Sequence, residues 1–535
     1  MTRTIVIGGG VAGLATAALL AREGHRVVLV EQGERLGGRA GVWEHMGFRF
    51  DTGPSWYLMP EVYDHFFRVL GTTAEQQLDL VQLDPAYRVY GEGHPEPLDI
   101  PGSVEETLEV FEGVQHGAGL RLAKYLDRAR DTYELAKRGF LYTSFQRPVR
   151  QLGGAVLAHG FRLARLLLEP LDALVRRTVH DTRLRQILSY PAVFLGASPH
   201  TAPSLFSLMS HLDLADGVRY PLGGFARVVE VLEAVAREQG AELRTGTSAT
   251  RIVVGEDGAV TGVEVRTGGK GAKGSTELLE ADVVVSTADL HHTETVLLDR
   301  PELRTYPQEY WDQRVAGPGA LLLMLGVEGE LPELEHHTMV FARKWGQGFR
   351  AIFGDPARVP ETLSFYVSKP SGVDADLAPE GSEALFVLVP VPADPSLGKG
   401  GVDGKGDAGV EALADRVIAQ LAEWAGIPDL AKRIVVRRTV APGDFAADLN
   451  AWKGTALGPA HTLRQSAFFR SGNVSKHVAN LYYAGASTLP GIGVPMCLIS
   501  AELVLKRVRG DASSAPVAEV AAGRARGGVS VVRAG

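Results

Sequence analysis

The sequence predicts an α/β fold, and three separated stretches of the chain carry this prediction. Each stretch joins short apolar strands to an amphipathic or small-residue helix, and two of them do so through glycine-rich turns. We expect these stretches, within segments 1–75, 220–295 and 475–510, to assemble one nucleotide-binding domain. The segments between them, 76–219 and 296–474, are then left to form a second domain of a mixed sheet and helices.

The composition limits the classes of function. A chain of 535 residues exceeds a single hydrophobic core, so two or more domains are expected. The net charge of −8 argues against a general nucleic-acid binder. The single cysteine, Cys497, excludes internal disulfides and cysteine-cluster metal sites, and no His or Cys cluster has metal-ligand spacing. We therefore expect no metal, and no apolar run is long enough to predict a membrane-spanning helix.

The first stretch, "TIVIGGGVAGLATAALLAREGHRVVLVE", reads as strand, turn, helix and second strand. Gly8, Gly10 and Gly13 form G-x-G-x-x-G, which permits a tight turn, close approach of a pyrophosphate, and close packing of helix on strand. The helix N-terminus offers unpaired N–H groups to phosphates. Glu31 ends the second strand, where a carboxylate can accept hydrogen bonds from ribose hydroxyls. This pattern predicts a Rossmann-like dinucleotide site.

The next residues favour FAD as the dinucleotide. In "ERLGGRAGVW", the Gly37-Gly38-Arg39 segment resembles the second fingerprint of flavoproteins with two dinucleotide-binding domains, and Arg39 can meet phosphate charge. "FDTGPSW" continues that resemblance and is expected to run towards the flavin. NADP is disfavoured, because Glu31 would repel its additional phosphate.

The other two stretches complete the predicted domain. "YPLGGFARVVEVLEAVAREQGAELRTGTSATRIVV" predicts a helix followed by two strands, and "ADVVVSTADLHHT" a further buried strand. "NLYYAGASTLPGIGVPMCLISAELVLKRV" predicts a strand, a turn containing Gly485, Gly491 and Gly493, and a helix. This end resembles the last flavin-binding element of the same flavoproteins.

Taken together, these motifs and "GTALGPAHTLRQSA" resemble the bacterial-type phytoene desaturases, over residues 4 to about 509. The resemblance implies an FAD-dependent enzyme of carotenoid biosynthesis that inserts double bonds into phytoene, giving a product such as lycopene. It implies hydride transfer to the flavin, loss of the adjacent proton, and a hydrophobic polyene substrate. It also implies a cytoplasmic protein held peripherally on the membrane surface, because such a substrate dissolves only in lipid.

A basic stretch at about 147–185 is the expected membrane-facing part. Eight arginines stand there against three acidic residues. A basic amphipathic region of this kind can lie on an anionic membrane. The alternative is a set of helices packed on the core, with solvated arginines. The arginines are Arg147, Arg150, Arg162, Arg165, Arg176, Arg177, Arg183 and Arg185.

The sequence identifies no catalytic acid or base. Asp213, which precedes "YPLGGF", is a candidate carboxylate, although a surface position is the alternative. Trp56 and Tyr57 are candidates for stabilising a cationic polyene by cation–π attraction, or else for filling the core beside the flavin.

Other readings stay open at this point. Within the same flavoproteins, a carotenoid isomerase, a ketolase or a desaturase of another polyene would share these motifs, and a flavin amine oxidase is more distant. A different class is a non-catalytic, prenyl-lipid-binding escort, which would not retain an intact pyrophosphate fingerprint. The tail 511–535 lacks helical or strand periodicity and is expected to be disordered.

Overall fold

The computed structural model describes residues 1–146, 160, 164–268 and 274–520. Its strands, in chain order, are β1 (Arg3–Ile7), β2 (Arg26–Val30), β3 (Val42–His45), β4 (Phe48–Asp51), β5 (Leu80–Gln82), β6 (Tyr87–Gly91), β7 (Leu98–Ile100), β8 (Arg219–Pro221), β9 (Glu242–Arg244), β10 (Thr247–Val254), β11 (Val260–Thr267), β12 (Thr276–Glu280), β13 (Val283–Ser286), β14 (Gly319–Glu328), β15 (His337–Phe341), β16 (Phe365–Ser368), β17 (Ser382–Val391), β18 (Ile434–Val440) and β19 (Leu481–Tyr483).

The described helices are, in chain order, α1 (Val11–Arg22), α2 (Pro60–Val69), α3 (Ala74–Gln77), α4 (Val104–Val114), α5 (Ala118–Ala136), α6 (Leu171–Thr178), α7 (Thr182–Ser189), α8 (Pro191–Phe194), α9 (Leu208–Leu214), α10 (Gly224–Glu238), α11 (Leu290–His292), α12 (Gln308–Asp312), α13 (Trp345–Phe353), α14 (Ala408–Ala425), α15 (Leu430–Arg433), α16 (Pro442–Leu449) and α17 (Val494–Val508).

A five-stranded parallel sheet, in the order β19-β13-β1-β2-β9, forms the nucleotide-binding domain. Its strands are short and, apart from the edge strand β9, largely apolar, as expected for strands that are covered on both faces. Helix α1 packs against α10 and α17, so three distant parts of the chain meet around one helix. The strands lie in the three segments assigned to this domain, and the α/β fold class is confirmed.

A seven-stranded mixed sheet, in the order β18-β14-β17-β16-β15-β6-β7, forms the centre of the second domain. β15 and β6 pair in parallel, and the other neighbours in this sheet are antiparallel. The ten-residue strand β14 is buried almost throughout, which explains its continuous run of apolar residues. Helices α4 to α9 pack beside this sheet, as the predicted mixed-sheet and helical domain requires.

The described part of the C-terminal tail is not disordered, so that prediction is wrong for residues 511–520. The buried ammonium of Lys506 donates to the carbonyl oxygens of Ser513 and Ala515, at 2.8 and 2.7 Å. Val517 is buried, and its N–H donates to Glu502. Sequence periodicity does not reveal these contacts because residues 511–520, which we call the tail strap, pack without regular secondary structure. Residues 521–535 lie outside the described part.

Only part of the predicted basic stretch is described. Arg147, Arg150 and Arg162 lie outside the described residues. Arg165 and Arg177 both pair with Glu169, and Arg176 pairs with Asp172 at 2.7 Å. These surface ion pairs neutralise part of the positive charge that the sequence suggested. Among the described residues, no helix is both long and apolar enough to cross a membrane.

Candidate active site

The first glycine turn joins β1 to α1 and opens onto a large cavity. Gly8 has φ of +101°, a conformation that favours glycine. A Cβ at Gly13 would lie 1.9 Å from the carbonyl oxygen of Gly8, so only glycine lets α1 approach the turn. A Cβ at Gly10, by contrast, would meet no protein atom closer than 3.7 Å. Gly10 therefore keeps open a space in the cavity, whereas Gly13 keeps the helix and the turn together.

The second fingerprint packs directly on the first. The N–H of Gly37 donates to the carbonyl oxygen of Gly9 at 2.9 Å, and Gly38 lies against Gly10. Arg39 projects from this turn, and its Nε and Nη2 atoms are buried with no hydrogen-bond partner among the described residues. Buried donors of this kind require an acceptor, and a phosphate group supplies one.

Glu31 is held in place by the two turns. Its Oε2 accepts from the N–H of Gly9 and its Oε1 from the N–H of Gly33, both at 2.7 Å. Each carboxylate oxygen retains further acceptor capacity, which suits ribose hydroxyl groups. The sequence placed Glu31 at the end of the second strand, and it follows β2 directly.

The C-terminal element closes the site from the other end of the chain. A Cβ at Gly485 would lie 3.6 Å from the Cβ of Ala12, so the turn after β19 meets the first turn of α1. Gly493 precedes α17 with φ of +119°, and no side chain caps this helix. The N-termini of α1 and α17 therefore both present N–H groups at this cavity.

The cavity has a volume of about 660 Å³. All of the predicted cofactor-binding residues except Gly13 line it: Gly8, Gly10, Glu31, Gly37, Gly38, Arg39, Gly485, Gly491 and Gly493. Partnerless Arg39, the space at Gly10 and the carboxylate of Glu31 fit the pyrophosphate and ribose of FAD. Those residues would hold the nucleotide, and the 484–493 turn with the start of α17 would hold the flavin end.

Beyond the nucleotide part, aromatic and aliphatic side chains form most of the cavity wall. Trp345 stacks between Phe341 and Phe349, with ring centroids 4.7 and 5.5 Å away. The other apolar residues of this part include Met339, Ile352, Leu363, Phe365, Leu388, Phe445 and Leu449. A wall of this kind offers extended apolar contact to a hydrocarbon.

The structure separates the two predicted aromatic candidates. Trp56 lines the cavity and stacks on His337, with centroids 4.4 Å apart. Tyr57 is absent from the cavity wall and packs in the core, stacked on Tyr63 at 4.1 Å. Neighbouring residues of an extended segment point to opposite sides, so only one of the two can face the cavity.

Asp213 is buried and is not a surface carboxylate. It accepts a hydrogen bond from the phenol of Tyr190 at 2.6 Å, and Tyr190 lines the cavity. Burial raises the pKa of Asp213 to about 7. Asp213 is therefore connected to the cavity by its hydrogen bond with Tyr190, a residue that no sequence motif had marked.

A second polar chain borders the cavity. The hydroxyl of Tyr366 lies 2.7 Å from Oγ of Ser55 and 2.6 Å from Nδ1 of His337. Burial keeps the pKa of His337 well below its usual range, so the imidazole is neutral. Ser55 lies in the quoted stretch "FDTGPSW", but sequence reasoning missed its contact with Tyr366 and His337, because the three residues come from separate segments of the chain. Within the described residues, no cluster of three or more His, Cys, Asp or Glu is placed to hold a metal.

The parallel sheet, the paired glycine fingerprints and the apolar cavity define a flavin-dependent oxidoreductase. The chain belongs to the flavin-containing amine oxidoreductase family, whose model matches residues 11–508. FAD is its cofactor.

Comparison with similar proteins narrows the class of flavin-dependent oxidoreductase. The chain is 39% identical to a carotenoid 3,4-desaturase of Haloarcula japonica over 497 residues, which covers 93% of this chain and 96% of that protein. It is 35% identical to a zeta-carotene-forming phytoene desaturase of Myxococcus xanthus, covering 95% of this chain and 93% of that one. A putrescine oxidase bound to putrescine shares the fold, with a TM-score of 0.58 at 16% identity, covering 95% of this chain and 99% of that chain.

Proposed function

We propose that the protein is an FAD-dependent desaturase of a carotenoid precursor such as phytoene. The observation that carries this proposal is the apolar wall of the cavity, which continues from the FAD-binding residues into the second domain. A polyene hydrocarbon has no polar handle, so its binding depends on apolar contact, which contributes about 25 cal/mol per Å² buried. The identity to named carotenoid desaturases supports the same substrate class.

Desaturation removes a hydride and a proton from neighbouring carbon atoms, and bound FAD supplies the hydride acceptor. The protein must then stabilise positive charge on the polyene and keep water away. Trp56, Tyr190 and Phe341 face the cavity together, with centroids 6.1 Å apart for Trp56 and Tyr190 and 6.2 Å for Tyr190 and Phe341. Their ring faces can attract a cation of this kind.

We assign to Tyr190 and Asp213 the removal of the proton that the substrate loses. The C–H bond beside the cationic carbon breaks, and its electron pair becomes the new double bond. The proton goes to the Tyr190 oxygen as the phenol passes its own proton to Asp213, 2.6 Å away. Because burial raises the pKa of Asp213 to about 7, this carboxylate can accept a proton near neutral pH.

The substrate would enter from a membrane surface. Phe145 and Phe468 line the cavity with ring centroids 6.5 Å apart, and Leu167 lines it as well. Their neighbours Leu168 and Phe469 are 72% and 50% exposed. We call these five residues the mouth patch. Exposed apolar side chains beside a hydrocarbon cavity are suited to contact lipid, which supports a peripheral protein on the cytoplasmic membrane face.

The desaturase assay uses purified holoprotein with FAD and phytoene in liposomes, followed by chromatography with absorbance detection. We expect products with longer conjugation that form only with FAD, and a loss of at least tenfold in rate for Asp213→Asn. Absence of product with flavin bound and an acceptor quinone present would contradict phytoene as substrate.

A second candidate is desaturation near the end of an already conjugated carotenoid. The observation that favours it is the 39% identity to the carotenoid 3,4-desaturase. An assay with lycopene in the same liposomes distinguishes the two candidate functions. Conversion of lycopene without conversion of phytoene would favour the second candidate.

The membrane proposal has its own test. We expect Phe468→Ser/Phe469→Ser to reduce pelleting with liposomes at both low and high salt. Replacing Arg165, Arg176 and Arg177 with Gln should reduce it only at low salt, since exposed charges are screened. Leu278→Ser is the matched control, because Leu278 is 53% exposed on β12 in the other domain. Equal pelleting of all variants would contradict the mouth patch as the membrane contact.

A further inference from the structure

Arg470 is a buried cation directly behind the turn that lines the flavin end of the cavity. Only 6% of its surface is exposed. Its guanidinium donates to the carbonyl oxygens of Thr488, at 3.0 Å, Gln465, at 3.3 Å, and Ala486. Ala486 itself lines the cavity. Arg470 itself does not line the cavity, and it holds the 484–493 turn through the carbonyl oxygens of Ala486 and Thr488.

This charge has no ionic partner in the described part of the protein. The hydrogen-bond acceptors of Arg470 there are carbonyl oxygens and an imidazole, none of which carries a negative charge. Burial lowers the pKa of Arg470 to about 10, so the side chain stays protonated at neutral pH. An uncompensated buried charge is strongly unfavourable in general, and hydrogen bonds donated to carbonyl oxygens offset only part of that cost.

His461 contacts Arg470 and also lines the cavity, so it connects the buried cation to the cavity wall. Its Nδ1 lies 2.8 Å from the carbonyl oxygen of Leu195, which assigns the proton to Nδ1. Its Nε2 then accepts from Nη1 of Arg470 at 3.4 Å. Burial, with the adjacent Arg470 charge, lowers the pKa of His461 to about 3, so the ring adds no charge of its own. His461 lines the cavity against Gly491, whose Cβ would lie 2.5 Å from Nε2.

The start of α17 adds positive potential of the same sign. This 15-residue helix begins at Val494, two residues after Ile492 in the cavity wall, and its N-terminus carries no side-chain cap. The dipole of a helix is equivalent to roughly half a positive charge at that end. The turn is therefore flanked by a full buried charge at Arg470 and a partial one at α17.

We propose that Arg470 is a positioning residue that acts on the flavin through the 484–493 turn. Its buried positive charge stabilises reduced FAD relative to oxidised FAD. A flavin that accepts a hydride gains one negative charge, which a fixed buried cation attracts. This role explains why the fold retains a cation without a carboxylate. It rests on flavin binding alone and not on which polyene is the substrate.

The test is the midpoint potential of the bound flavin, measured by spectroelectrochemical titration without substrate. For Arg470→Gln we expect the preference for reduced flavin to fall at least tenfold, which is about 30 mV in the negative direction for two electrons. Arg470→Lys is the matched variant, because it loses the same forked hydrogen bonds and keeps a charge. We expect Arg470→Lys to retain the wild-type potential in mildly acid buffer, where a buried lysine stays protonated. Equal potentials for the Gln and Lys variants would overturn the proposal.

A measurement on the wild-type protein covers the case in which the variants do not fold or do not bind FAD. If the site holds the reduced flavin as an anion, the potential should change by about 30 mV per pH unit through mildly acid buffer, one proton for two electrons. Free FAD in the same buffers is the reference and should approach twice that slope. A wild-type slope equal to that of free FAD would also overturn the proposal. These potentials are measured without substrate, so they do not depend on the result of the carotenoid assay. The desaturase proposal and the Arg470 proposal can therefore fail separately.

Discussion

At the scale of single residues, Gly10 and Gly13 belong to one motif, but substitutions at the two positions are expected to have different effects. One should weaken FAD binding and the other should weaken the fold. We predict that Gly10→Ala folds normally but binds FAD at least tenfold more weakly, because its methyl group enters cofactor space and meets no protein atom within 3.7 Å. We predict that Gly13→Ala is destabilised, because its methyl group would lie 1.9 Å from the Gly8 oxygen. Thermal unfolding of the apoproteins and flavin titration measure the two effects. An equal loss of stability in both apoproteins would be inconsistent with this division.

The buried carboxyl of Asp213 should make stability depend on pH. Burial raises its pKa from 3.8 to about 7, so the folded state binds more protons than the unfolded state between these values. The free energy of unfolding then falls as pH rises through this window, by up to about 1.4 kcal/mol per unit. We predict that Asp213→Asn gains stability relative to wild type from mildly acid to neutral pH.

Melting temperatures of wild type and Asp213→Asn across that pH range test this prediction. Asp51, whose pKa burial raises to about 6, is present in both proteins, so their difference isolates Asp213. Asp376→Asn, at an exposed position, is the control and should show no such trend. A constant difference between wild type and Asp213→Asn would argue against the raised pKa.

Sequence reasoning located residues whose role depends on local spacing, and missed those whose role depends on tertiary contact. The glycine turns and Glu31 follow from spacing along one strand–turn–helix unit. Arg470 and His337 acquire their environment only when distant segments meet, and both would read as ordinary polar residues. Asp213 was visible as a carboxylate, but its burial was not.

At the scale of elements, the tail strap is fixed by one buried lysine. Lys506 donates to the carbonyl oxygens of Tyr142, Ser513 and Ala515 at 2.7–2.8 Å and has no exposed surface. We predict that Lys506→Met lowers the free energy of unfolding by on the order of 3 kcal/mol, because it leaves these carbonyls without a donor. Thermal unfolding measures the loss, and Lys405→Met, at an exposed position, is the control.

Deletion of residues 511–535 provides a second measurement of the same contact. Since the deletion and Lys506→Met remove shared hydrogen bonds, their effects should not add. Additive losses would mean that Lys506 stabilises the fold independently of the strap. The strap also explains why tail composition misleads: two of its contacts with α17 are made by backbone carbonyls, which every residue type carries.

At the scale of the whole molecule, the two domains share a core as well as a cavity. Phe48 and Phe50 of β4 pack in one hydrophobic cluster with Ala320 and Phe386 of the seven-stranded sheet. Recurring strand–helix units predicted three separated segments for the parallel sheet, and its strands lie within them. The strand order of the mixed sheet was not predictable, because β6 pairs with β15, which lies more than two hundred residues later in the sequence.

Removal of FAD should therefore weaken the molecule as one unit. The cavity takes residues from the parallel sheet, such as Ile7, and from the mixed sheet, such as Leu388. FAD at a hundredfold excess over its Kd adds about 2.7 kcal/mol to the folded state. We predict a higher Tm for the holoprotein, with near-UV ellipticity and intrinsic fluorescence reporting the same shift. Gly10→Ala at the same FAD concentration should shift less, in proportion to its weaker binding. A shift confined to one of two separate transitions would show that the domains unfold independently, despite the core they share.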